Sequence, residues 1–223
     1  MTTVARARPT DLGKPLLRGW LHTYAFFVAL AAGAVLCGLA ATRPGTAPLV
    51  SCAIYTVSVC GMFGVSALYH RRVWSRSGFA LMRRLDHSMI FVFIAGTYTP
   101  FSALLLPRDR ATVILAVVWG GALAGVAMKL AWPHAPRWAS APLYVALGWV
   151  AVFVLPDLLR QGGVAVLVLL LVGGVAYSVG AVCYALRWPK GWPRYFGHHE
   201  FFHACTLLAA LAHHVAIYFA LYA

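Results

Sequence analysis

Long apolar runs separated by short polar or basic intervals set the rhythm of this chain. Seven such runs stand out, over 20–41, 48–70, 86–106, 111–131, 138–158, 163–186 and 197–222. A helix of about 20 apolar residues crosses the roughly 30 Å hydrocarbon core of a bilayer, and each run reaches that length. The intervals between them are too short to fold alone, and no strong internal repeat is present. The pattern therefore predicts an all-α, polytopic membrane protein: a basic tail over residues 1–19 and a single domain of seven transmembrane helices over 20–223.

Composition agrees. Of 223 residues, 62% are hydrophobic and 10% charged, where soluble domains carry about 25% charge; the mean hydropathy is +0.79. The first apolar run is longer than the core of about 7–15 residues found in cleaved signal peptides, so it is expected to remain as a span. A net charge of +13 raises the question of nucleic acid, and the distribution of the charge answers it. Arg6, Arg8, Lys14 and Arg18 precede the first run; Arg71, Arg72, Arg76, Arg83 and Arg84 follow the second; Lys129 and Arg137 flank the interval after the fourth; Arg187, Lys190 and Arg194 follow the sixth. The opposite side has only Arg43, Arg108, Arg110 and Arg160, so 14 of 18 basic residues sort to one face. Cytoplasmic loops carry such an excess. The expectation is a multi-pass protein of the inner (plasma) membrane with its N-terminus cytoplasmic and its C-terminus extracytoplasmic. Its partners are membrane lipids, not nucleic acid. Trp20, Trp74, Trp132, Trp138, Trp188 and Trp192 fall near run ends, where indoles prefer to sit. The five cysteines, all inside the runs without paired spacing, read as small buried apolar residues.

Given that topology, position along the chain becomes depth. His70 ends the second run at its cytoplasmic side, with Ser66 one turn deeper on the same face; Asp86 and His87 open the third run at that side, and His199 and His203 open the seventh. His199 and His203 are four apart, so on a helix they face one way and can share a metal ion. His70 is the third ligand at matching depth. Three histidines with one open position is the arrangement of a catalytic zinc, whereas structural zinc sites are closed with four ligands. His213 and His214 lie about 15 Å deeper at 1.5 Å per residue; His213 is expected to make a hydrogen bond between helices. Of five carboxylates, only Asp86 and Glu200 stand beside the histidines, and either could hydrogen-bond a metal-bound water and accept its proton. Asp86 could instead cap a helix N-terminus, and Glu200 could face a basic residue. His22, His134 and His198 read as packing residues.

The segments SALYH (66–70), LDHSMIFVFIAGTYTPF (85–101) and FGHHEFFH (196–203), with His213 ten residues on, resemble the hemolysin III family of bacterial membrane proteins. They are more distantly similar to the adiponectin and progestin receptors and the alkaline ceramidases. The resemblance implies that His70, His199 and His203 bind zinc, that Asp86 holds the zinc-bound water, and that Ser66 stands just outside the ligands; Asp86 and Ser66 are thus the catalytic candidates. It also implies a cytoplasmic N-terminus. The function expected is a metal-dependent hydrolase acting on a lipid amide or ester at the cytoplasmic side, with a lipid substrate or fatty acid inside the helix bundle. Three alternatives remain: a sensor of membrane state with structural zinc, a cytolysin or channel, and an intramembrane metalloprotease in which His199–Glu200–Phe201–Phe202–His203 is an HExxH motif with Glu200 as the base.

Overall fold

The computed structural model describes residues 15–132, 137–190 and 194–223, and the long regular elements among them are all helical. In chain order they are α1 (Trp20–Ala41), α2 (Ala47–Arg71), α3 (Arg76–Leu105), α4 (Arg108–Ala131), α5 (Arg137–Gly148), a 3-10 segment (Trp149–Val154), α6 (Leu155–Leu186) and α7 (His198–Leu221). Helix is what such sequences adopt in lipid, because hydrocarbon offers no partner to a backbone N–H or C=O. Six helical stretches are long and apolar enough to cross a bilayer. The protein is therefore a polytopic helical membrane protein.

One of the six, Ser140–Leu186, is 47 residues long, about twice what a crossing needs. Trp149 Nε1 donates to Ser178 Oγ at 2.9 Å, although on one straight helix residues so far apart in sequence would be separated by about 43 Å. The chain doubles back between them. The reversal falls at Gly163, where φ is 75° and ψ is −179°, a conformation open essentially to glycine alone. A Cβ there would meet nothing within 4 Å, so the requirement is torsional and not a matter of space.

The fifth apolar run does not form the continuous α-helix its periodicity predicts. It is built from α5 and the 3-10 segment, and its last residues already belong to α6. Tyr98 of α3 accommodates the change of winding. Its hydroxyl donates to the Gly148 carbonyl at 2.6 Å and accepts from the Ala151 N–H at 2.8 Å, giving partners to backbone groups that lipid could not satisfy. Near the same end, Arg110 pairs with Asp157 in the first turn of α6.

A second departure concerns α3, which begins at Arg76, ten residues before the expected start at Asp86. Ser75 is its N-cap, its side chain accepting from the Gly78 N–H at 3.1 Å. Asp86 is therefore interior to the helix and caps nothing. The same extension carries Arg83 and Arg84 into helix and makes α3 the central element, in contact with α2, α4, α5, α6 and α7. Sequence neighbours pack pairwise, and α1 closes the bundle against α7.

Gly163→Ala is expected to lower stability by about 1–3 kcal/mol, the range for forcing a side chain into such a torsion. Reversible unfolding in mixed micelles measures it; an unchanged midpoint would mean the reversal does not rest on that residue.

Candidate functional site

His70 stands at the C-terminal end of α2, and His199 and His203 occupy the first two turns of α7. His70 Nε2 and His199 Nε2 are 3.1 Å apart, and ligand nitrogens of all three histidines lie within 4.8 Å of one another. Three nitrogens bound tetrahedrally to zinc at about 2.0–2.1 Å would stand roughly 3.4 Å apart, so this set fits such an ion after small side-chain rotations. The three rings form part of the wall of a cavity of about 340 Å³, and Ser66 and Asp86 line the same cavity. Ser66 lies within hydrogen-bonding reach of the Asp86 carboxyl. All five residues singled out from the sequence thus share one chamber.

The deeper histidines do not join them. His213 Nε2 is 3.2 Å from the Leu170 carbonyl, linking α7 to α6, and His214 packs between Tyr55 and Tyr218.

Glu200 belongs to a different job. It is 1% exposed; one carboxylate oxygen is paired with Arg18, and the other accepts from the Gly197 N–H at 2.9 Å. The second bond is a helix cap, satisfying a backbone donor at the start of α7. With both oxygens engaged in this way, Glu200 is not arranged as the base of an HExxH site. The segment that brings Arg18 is itself pinned, since Leu16 and Leu17 donate their N–H groups to the Arg194 and Tyr195 carbonyls. Gly19 then turns the chain into α1 at φ 81°, and a Cβ there would come within 2.7 Å of His70 Cβ. The residue before α1 therefore lies directly against a member of the histidine set.

Two of the other wall residues, His22 and Lys129, bear on the site. His22 of α1, expected to be mere packing, stacks on His203 with ring centroids 3.7 Å apart and planes 7° from parallel. Its other neighbour is Phe63, and both its ring nitrogens are buried without a hydrogen-bond partner. No helical spacing could pair residues so distant in sequence; equal depth in the first and last runs was the available signal. Lys129, read as a topology marker, is 3% exposed, donates to the Ser140 hydroxyl and lines the cavity together with Arg83 and Tyr144. His198 packs near Tyr184, and His134 lies outside the described residues.

A helical bundle in the membrane with a three-histidine, one-carboxylate chamber at the ends of its helices defines the class of this molecule. Comparison with known families then makes the assignment: the model of the family described as haemolysin-III related matches residues 10–214, and the chain belongs to that family. It is 31% identical over 159 residues to the Hemolysin-3 homolog of Bacillus subtilis (strain 168), covering 71% of each chain. It is 33% identical over 151 residues to Hemolysin-3 of Bacillus cereus, covering 67% of this chain and 68% of that one.

Breaking a buried ion pair from one side leaves an uncompensated charge. Glu200→Ala is accordingly expected to cost roughly 3 kcal/mol, and the double variant Arg18→Met with Glu200→Met to recover much of that loss. Unfolding midpoints in detergent test this; a single variant as stable as the wild type would show that the pair does not hold the start of α7.

Proposed function

We propose that this protein is a zinc-dependent hydrolase of lipid amides or esters, acting at the cytoplasmic face of the plasma membrane. One observation carries the reading: three histidine nitrogens within 4.8 Å of one another, in a chamber that also receives Asp86 from a separate helix. His70, His199 and His203 would hold the ion and leave a fourth position open, the pattern of catalytic rather than structural zinc. The ion, when bound, supplies Lewis acidity toward a carbonyl and eases the deprotonation of water.

The protein's own groups supply the rest. Asp86 approaches from α3 while the ligands come from α2 and α7, so its carboxylate can take a proton from the attacking water. Ser66 orients that carboxylate. The water oxygen bonds to the carbonyl carbon, the C–N or C–O bond breaks, and Asp86 returns the proton to the departing nitrogen or oxygen. A carboxylic acid and an amine or alcohol result. The acyl chain rests among apolar helices, which makes membrane lipids the source of substrate and a fatty acid the product held in the bundle.

The topology belongs to the same proposal. Ser140–Leu186 folds back at Gly163, which supports counting it as two crossings and, with the five other apolar helices, seven in all. The 14-to-4 division of basic residues supports a cytoplasmic N-terminus with the histidine chamber on the same side.

Two measurements test these statements. Purified wild type is expected to carry about one zinc per chain; His70→Ala, His199→Ala and His203→Ala should each lose it, and His213→Ala should keep it, the fit being to three nitrogens at one depth. Asp86→Asn should retain the metal and lose hydrolysis of an acyl-amide lipid by at least about 100-fold, as for loss of a general base, with Glu200→Gln much milder. Retention of metal in all three histidine variants, or loss of metal without a turnover defect in Asp86→Asn, would overturn the assignment. Separately, reporters fused to the two termini should read on opposite sides of the membrane, N-terminus inside; a shared side would mean an even number of crossings.

A further inference from the structure

We propose that the lipid received by this chamber carries a negatively charged group, a carboxylate or a phosphate, bound by Lys129 and Arg83 while its acyl carbonyl faces the three histidines. The inference rests on the hydrolase reading for the carbonyl and on separate residues for the anion. Lys129 sits on α4, 3% exposed, at the wall of the chamber. Its partners are neutral: the Ser140 hydroxyl, and the Tyr144 ring with its centroid 6.0 Å away. An ammonium has three N–H donors, and one hydroxyl with an aromatic face leaves most of its charge uncompensated. Buried cations in membrane helices are costly and normally find an anion or a water-filled cavity.

A second cation makes the imbalance larger. Arg83 lines the same chamber and repels Lys129. The protein's acids are few, and among the described residues none pairs with either cation. Glu200 is taken by Arg18, Asp157 by Arg110, and Asp109 is exposed at the start of α4. Asp86 is held by Ser66 and lies 3.7 Å from His87 Nδ1. The chamber wall therefore holds a metal-fitting set together with two cations that no carboxylate pairs among the described residues. A lipid whose scissile acyl bond and anionic group lie a few bonds apart satisfies both. Lys129 and Arg83 bind this anion through charge-assisted hydrogen bonds, the arginine in bidentate fashion, and a neutral amide lipid leaves both cations unmatched.

Binding, measured apart from turnover, tests this. The Asp86→Asn protein in phosphatidylcholine nanodiscs is titrated with N-oleoylglycine against N-oleoylethanolamine, and with ceramide 1-phosphate against ceramide. The expected result is that at least one anionic lipid binds about tenfold or more tightly than its neutral counterpart, as hydrogen bonds to charged groups allow. The pair showing the larger preference distinguishes a carboxylate from a phosphate. Lys129→Gln and Arg83→Gln should each remove most of the preference, Lys129→Arg should keep it, and Arg72→Gln, exposed outside the chamber, should leave it unchanged. If Lys129→Gln does not fold, Arg83→Gln and Lys129→Arg decide. Equal binding of charged and neutral lipids overturns the proposal, as does a preference that survives both glutamine variants. An anion preference in a wild type that hydrolyses nothing defeats the hydrolase reading and leaves this one standing; hydrolysis of neutral lipids without any preference does the reverse.

Discussion

The start of α7 must satisfy its own backbone donors where little water is available, and Glu200 does so while neutralising Arg18. Two constraints meet in one side chain. A helix end without a cap leaves N–H groups unpaired, and a buried carboxylate without a cation is costlier still. By joining Gly197 to Arg18, Glu200 fixes where the first turn of α7 begins and hence where His199 and His203 point. The segment carrying Arg18 also brings Gly19 against His70. The alignment of α2 with α7 therefore depends on a contact that is not itself part of the chamber's chemistry.

Polar groups are distributed according to the same economy. The apolar helices face lipid with few demands, and the costly groups gather where they can serve one another: the histidine set, Asp86 with Ser66, Lys129 with Ser140. At the other end Arg110 with Asp157, and Tyr98 with the α5 break, solve the same problem locally. In hydrocarbon a broken helix is tolerated only where protein supplies the missing partners, and Tyr98 supplies them on both sides of the break.

Much of this was legible in the sequence because it follows from short spacing or from depth. His199 and His203 share a face by helical period, and His70 reaches them because it ends a run on the same side. The extended start of α3 was not legible: RSGFALMRR (76–84) is too charged to count as a span, yet Ser75 caps it and the helix forms. The break after Gly148 was hidden for the opposite reason, since its residues are uniformly apolar and periodicity cannot distinguish a 3-10 turn from an α-turn there. The stacking of His22 on His203 and the position of Lys129 in the chamber wall depend on tertiary contacts, which no local pattern records. Glu200 was ambiguous in sequence; in the structure it pairs with Arg18 and caps α7.

The stacking of His22 on His203, the pairing of Arg18 with Glu200, and the hydrogen bonds from Leu16 and Leu17 to Arg194 and Tyr195 all join α1 and the segment before it to α7 and the segment before that. During synthesis α1 leaves the ribosome long before α7 exists, and domains built on such distant contacts complete themselves late. Until α7 arrives, His22 has Phe63 but not His203, Arg18 lacks Glu200, and the chamber has only one of its three histidines. A chain interrupted just before α7 thus has most of the hydrophobic architecture and an incomplete site, which couples the appearance of the site to the arrival of α7.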